Sequence, residues 1–101
     1  MATVDVRLRN AQTKLIEKTI QQGFGNVEAY RYNSVSIRVR VVDERFRGRS
    51  DAERYEMVAP FLRKLPKKTK DDITIVLLIT DEEKQDRLMN LEFENPSPSQ
   101  L

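Results

Sequence analysis

Alternating side chains between positions 35 and 41 constrain the fold of this chain more than any other feature. A period of two over this length is typical of a β-strand with one buried face and one solvated face. A shorter strand at Val27–Tyr32 precedes it, and the turn residues Asn33 and Ser34 join the two strands into an antiparallel hairpin. The side chains predicted to face the core are Val35, Ile37, Val39 and Val41. Those predicted to face solvent are Ser36, Arg38 and Arg40.

Helical patterns flank this hairpin on both sides. Apolar residues recur at helical spacing from Asp5 to about Gln22, and Gly23 or Gly25 would end the segment, so we predict a first helix there. A second helix begins at the capping box formed by Ser50 and Glu53. The hairpin therefore has a helix before it and a helix after it to cover its apolar face.

The second half of the chain predicts one more strand and one more helix. Pro60 lies inside the second helix and predicts a kink or a break there. Residues 65–72 read as a polar loop, and Ile73–Thr80 is an apolar strand covered on both faces or central in the sheet. A last helix follows at about 82–91, and the Pro- and Ser-containing residues 95–101 are expected to be a disordered tail.

The resulting order, αββαβα, predicts a single α+β domain over residues 1–94. A right-handed crossover through the second helix makes the third strand parallel to one of the others, so the sheet is three-stranded and mixed. We expect the helices to pack on one face and the other face to carry Arg38 and Arg40. A length of 101 residues suits one such domain.

Composition argues against catalysis. The chain has no histidine and no cysteine, the usual general bases and strong nucleophiles. Its acidic clusters, 71–72 and 81–83, lie at element boundaries, where carboxylates favour helix N-termini and turns. No signal-peptide pattern and no apolar run of about 20 residues is present. We therefore expect a cytoplasmic protein that is neither an enzyme nor membrane-bound.

A short run in the middle, Phe46-x-Gly48-x-Ser50-x-x-x-Arg54, has a structural interpretation of its own. Gly48 permits a sharp turn into the helix, because glycine adopts positive φ without steric cost. Phe46 is expected to anchor the core. Arg54 is positioned to reach back to Asp43, Glu44 or a strand-end carbonyl.

The same run resembles the signature of the BolA-like family. Residues 41–50 and 53–58 look like its strand–loop–helix pattern, of which 46–58 is the specific part, and the strand 73–80 fits the remainder. The resemblance implies an αββαβα fold related to the type II KH fold. Members of this family are generally not enzymes; they bind monothiol glutaredoxins and share a [2Fe–2S] cluster with them, and some regulate through nucleic acid.

Two departures from the family pattern remove its metal ligands. Tyr55 occupies the place of a histidine that typically follows the arginine, and Thr74 that of a second one at the start of the last strand. Iron in such a cluster takes thiolate or imidazole ligands. We therefore predict that this chain binds no cofactor and no metal.

Two functions remain open at this stage. The first is a non-enzymatic binding or regulatory module with a protein partner, glutaredoxin-like by resemblance. Its partner surface would comprise Arg45, Arg47, Arg49, Arg54, Tyr55 and Thr74. The alternative is single-stranded nucleic-acid binding, although the Gly-x-x-Gly loop of KH modules is missing. That surface would comprise Arg38, Arg40, Lys67, Lys68 and Lys70.

The last helix carries apolar residues that have two interpretations. Leu88, Leu91 and Phe93 either dock on the sheet or core, or form an exposed patch for a partner or a second copy. The sequence does not specify the oligomeric state.

Overall fold

A computed structural model of the chain describes residues 10–86 and 88–94. The three strands form one sheet in the order β1-β2-β3, with β1 and β2 antiparallel and β2 and β3 parallel. Short 3₁₀ turns lie at Glu44–Phe46 and Glu82–Asp86. The main elements are α1 (Ala11–Ile20), β1 (Asn26–Asn33), β2 (Ser36–Val42), α2 (Asp51–Leu62), α3 (Lys67–Asp72), β3 (Ile73–Ile79) and α4 (Leu88–Glu94). The predicted α+β class and the mixed three-stranded sheet are confirmed.

One face of the sheet carries the main apolar core. Ile37, Val39 and Val41 of β2 are fully buried, as the alternation predicts, whereas Val35 lies in the hairpin turn and is largely exposed. The first two helices and Phe46 cover this face, so the expected anchor position of that ring is confirmed. The cluster is completed by Ile16, Ile20, Phe24, Val27, Ala29, Val58, Leu62, Leu65 and Leu78.

The other face of the sheet is covered by α4, which corrects the expectation that all helices pack on one face. The Phe93 ring is fully buried and meets the Tyr30 ring edge-on, with 5.2 Å between the ring centroids. Arg40 is only 4% exposed because Asn90, Phe93 and Glu94 close over it. The predicted open arginine face is therefore wrong at Arg40. Of the last helix's apolar residues, Phe93 docks on the sheet and Leu91 is exposed.

Helix boundaries differ from the predictions for local reasons. The first helix begins at Ala11, because Asn10 has extended backbone angles and forms a capping box with Thr13; the earlier part of the predicted helix, 5–9, lies outside the described residues. The second helix continues through Pro60 without a break and ends at Leu62, so the missing backbone hydrogen bond falls in its last turn. Residues 67–72, predicted as loop, form the helix α3. The predicted tail, 95–101, lies outside the described residues.

The third strand lies at an edge of the sheet, not at its centre. Its apolar residues are half-buried from Ile73 to Leu77, around the exposed Thr74, and become buried at Leu78 and Ile79. A register shift separates the Ile37–Ile73 pair from the Arg38–Ile75 pair, so Thr74 is the extra residue of a bulge.

Across the described ranges 10–86 and 88–94, no helix has the length and apolarity to span a bilayer.

Gly48 holds the turn into α2, and replacing it with alanine is expected to destabilise the fold. Its φ is +74°, and no other atom lies within 4 Å of an added Cβ, so the cost is backbone strain alone. We expect Gly48→Ala to lower the free energy of unfolding by about 1–2 kcal/mol in urea titrations. Gly25 is a matched control, since its surroundings are equally open and its φ is not positive. Equal stability of Gly48→Ala and Gly25→Ala would contradict this account.

Candidate functional site

A groove runs between α2 and the outer edge of β3, with which no other strand of the described residues pairs. Its larger part has a volume of about 470 Å³ and lies beside Thr74 and Val76. A smaller part of about 270 Å³ continues toward the N-terminus of α2 beside Leu78. Tyr55 and Val76 line both parts, so the two are adjacent. We call this feature the α2–β3 groove; its polar lining comprises Asp51, Tyr55, Glu56, Arg63, Lys70 and Thr74.

The backbone of β3 offers hydrogen-bonding groups to this groove. The Ile79 carbonyl accepts from the Asp43 N–H, so Ile79 directs its backbone groups toward β2. Because these directions alternate along a strand, the backbone groups of Leu78 and Val76 point the opposite way, toward the groove. The Leu78 carbonyl accepts from Arg54 across this edge at 2.9 Å, as the alternation requires. The Val76 groups and the Leu78 N–H are thus presented to the groove.

Tyr55 and Thr74, the two positions where the family pattern has histidine, line the same groove. The Tyr55 side chain is 48% exposed on the outer face of α2. The Thr74 hydroxyl forms a hydrogen bond with the Ser36 hydroxyl of the neighbouring strand. The structure therefore brings together two residues that are 19 positions apart in the sequence. Both provide hydroxyl oxygen and neither provides the nitrogen or sulfur that a [2Fe–2S] iron takes.

Arg54 lies inside the fold rather than on the expected partner surface. It is 3% exposed and donates hydrogen bonds to the carbonyls of Arg49 and Leu78. Its guanidinium also donates to both carboxylate oxygens of Glu83, at 2.6 and 2.9 Å. These hydrogen bonds to the Glu83 carboxylate raise the pKa of the guanidinium. Arg54 thus joins the start of α2 to the end of β3 and to the turn that follows.

The loop arginines remain on the surface, and two of them are held by neighbouring carboxylates. Arg45 lies over the Phe24 ring, 4.3 Å from its centroid, and donates to both Asp43 oxygens. Arg47 bridges Glu44 and Glu82, at 2.7 and 3.0 Å. All three arginines of this loop, Arg45, Arg47 and Arg49, are exposed.

These ion pairs lower the pKa of two carboxyl groups. The hydrogen bond from the Arg45 side chain lowers the pKa of Asp43, and that from Arg47 lowers the pKa of Glu82. A pKa that is lower in the folded state favours folding above the ordinary carboxylate pKa of about 4. That contribution is lost as the pH falls through the lowered value.

The basic residues of the nucleic-acid alternative do not share one surface. Arg38 stacks on the Tyr32 ring, 3.7 Å from its centroid, and donates to the Tyr30 hydroxyl, both on the face that α4 covers. Lys70 instead lines the α2–β3 groove. Lys67 pairs with Asp71 at 2.6 Å, and Lys68 is exposed on α3.

Arg63 and Glu56 belong to the groove although the sequence interpretation did not include them. Tyr55, Ala59 and Arg63 recur at intervals of four, which places them on one face of α2, and all three line the groove. That spacing was a usable signal. It was obscured because Ala59 and Leu62 also contribute to the apolar stripe.

Comparison with protein-family models, curated proteins and solved structures finds no match to this chain. The resemblance to the BolA-like family therefore rests on residues 46–58 and on the order of the elements. Within residues 10–86 and 88–94, no group of three or more acidic side chains is placed to hold a metal ion.

Proposed function

We propose that this chain is a non-enzymatic, BolA-like binding and regulatory module that acts through a protein partner at the α2–β3 groove. One observation carries the proposal: an exposed tyrosine and an exposed threonine line one groove, along the strand edge toward which the backbone groups of Val76 point. Partly apolar grooves with a few convergent polar groups are the usual form of recognition sites. The resemblance suggests a glutaredoxin-like protein as the partner.

The family's cofactor does not fit these residues. A bridging cluster takes a thiolate or imidazole from each partner, and the chain contains neither histidine nor cysteine. By the resemblance, Tyr55 and Thr74 occupy the positions of those ligands, and both carry hydroxyls instead. The partnership that we propose is therefore one of protein surfaces, without a shared [2Fe–2S] centre.

Tyr55→Ala is expected to abolish partner capture without affecting the fold. Half of this side chain is exposed, so its removal costs little stability, whereas aromatic side chains often dominate binding energy in an interface. We would capture partners from native lysate on the wild-type chain, on Tyr55→Ala and on Val35→Ala, each before and after nuclease treatment. Val35 is the matched control, because it is an exposed apolar residue in the hairpin turn, outside the groove lining.

The proposal predicts a discrete protein that survives nuclease, is retained by Val35→Ala and is lost with Tyr55→Ala. Retention by Tyr55→Ala would place the partner surface elsewhere. Partners that disappear on nuclease treatment would favour the nucleic-acid alternative. In that case binding should also weaken steeply with salt, because phosphate contacts release counterions.

A further inference from the structure

We propose that the α2–β3 groove binds an extended peptide as a fourth strand of the sheet, beside β3, with an acidic side chain of the peptide between Arg63 and Lys70. This inference rests on the proposed function and specifies its ligand. It depends on the chemistry of the strand edge, on the shape of the groove and on the distribution of charge along it.

The outer edge of β3 lacks most of the devices that usually protect an edge strand. Natural edge strands carry proline, charged side chains or bulges that prevent pairing with another chain. The sequence of β3, Ile-Thr-Ile-Val-Leu-Leu-Ile, has no proline and no charge, and its bulge lies at its first residues. The backbone groups of Val76 and the Leu78 N–H point outward. An added strand would pair with these groups directly.

The shape of the groove favours a single extended chain over a second copy of the domain. An added strand would lie about 4.8 Å from β3, between that strand and the outer face of α2. Pairing of two copies through β3 would make one continuous sheet and would bring a second α2 to the same edge on the same face. A peptide brings no helix with it, and its side chains would enter the apolar floor formed by Leu62, Ile73 and Val76.

The two ends of the groove carry side chains of opposite charge. Lys70 and Arg63 lie at the end where β3 begins, and both side chains are exposed, with no ion pair to any side chain that the structure describes. Asp51 lies at the opposite end, beside Leu78, and Glu56 lies between the ends, two turns before Arg63. A carboxylate on the ligand is therefore complementary to the Arg63 end and is repelled from the Asp51 end.

The test selects ligands from a library of short random peptides displayed on phage. We expect the wild-type protein to enrich peptides in which β-branched residues occupy every second position. Asp or Glu should precede or follow this stretch. The double variant Arg63→Glu/Lys70→Glu should bind the selected peptides at least about tenfold more weakly. The control Lys14→Glu/Lys18→Glu makes the same change in net charge on exposed positions of α1 and should bind normally.

Hydrogen exchange then tests the mode of binding. A selected synthetic peptide should protect the amides of Val76 and Leu78, and proline substitution at alternate positions of the peptide should abolish binding. Protection of these amides without peptide, increasing with protein concentration, would identify a second copy as the occupant and overturn the inference.

Three results separate this inference from the proposal on which it rests. Selected peptides that need Tyr55 but do not respond to charge reversal, or that bind as a helix, overturn the strand-addition inference and leave the groove as the partner site. If no peptide is enriched, but Tyr55→Ala fails to capture the protein that the wild-type chain captures, only the strand-addition inference is overturned. If Tyr55→Ala still binds the selected peptides and still captures the protein, the strand-addition inference and the proposed function are both overturned.

Discussion

Replacing Arg54 with alanine is expected to lower the free energy of unfolding by about 3 kcal/mol, although the residue lies in the first turn of a surface helix. Removing one member of a buried ion pair leaves the other charge without compensation and typically costs about 3–5 kcal/mol. The lower end applies because 27% of the Glu83 side chain is exposed. The substitution also leaves the Leu78 carbonyl without its donor. Urea titration of both proteins measures the difference.

Two further variants separate the charge of Arg54 from its geometry. Arg54→Lys keeps the charge but loses the forked pair of hydrogen bonds, so we expect it to recover only part of the stability. Glu83→Gln removes the opposite charge while the side chain can still accept from the Thr80 N–H at 2.9 Å. A loss below about 1 kcal/mol for Arg54→Ala would show that this pair behaves as an exposed surface ion pair.

Local sequence signals predicted the environment of Arg54 only in part. The capping box of Ser50 and Glu53 starts α2 where expected, with both of its hydrogen bonds present. The expectation that Arg54 reaches back to a strand-end carbonyl is also confirmed, at Leu78. Its carboxylate partner was predicted to be Asp43 or Glu44 and is Glu83, which lies 29 residues along the chain. Spacing rules describe neighbours in one helix or turn and do not specify such distant pairs.

The placement of β3 and α4 shows a second limit of sequence patterns. An apolar run such as Ile73–Ile79 fits a central strand and an edge strand beside a helix equally well, because burial on two faces requires no third neighbour in the sheet. The polar positions of β2 alternate as they would on a solvated face, yet α4 covers that face. Phe93 packs on it, and Asn90 accepts a hydrogen bond from Arg40. The alternation therefore divided the side chains of β2 correctly between the two faces of the sheet. It could not show that a helix covers the face that carries Arg38 and Arg40.

The groove depends on the placement of β3 at the edge of the sheet. Tyr55 and Thr74 were singled out because the resemblance to the BolA-like pattern predicts histidine at these positions, and both line the same groove. Arg63 and the outward groups of Val76 become visible only when β3 is known to be an edge strand. The part of the site that rests on a sequence motif was predictable, and the part that rests on sheet order was not.

Replacing Arg40 with alanine is expected to release α4 from the sheet. Its guanidinium donates to Asn90 at 2.5 Å, to Glu94 at 3.2 Å and to Glu28 on the neighbouring strand, and it lies 5.4 Å from the centroid of the Phe93 ring. Arg40 is thus the charged link between β2 and the helix. We expect a loss of about 3 kcal/mol, the lower end of the range for a buried pair, because the carboxylates of Glu28 and Glu94 are partly solvated.

Hydrogen exchange distinguishes local release of α4 from general destabilisation. In Arg40→Ala, the amides of α4 should lose protection at lower denaturant than those of β1 and β2, since regions with few remaining contacts open first. Arg38→Ala is the matched control, as this arginine lies on the same strand face but contacts Tyr30 and Tyr32. Unchanged protection of α4 would show that the Phe93 contact alone holds the helix in place.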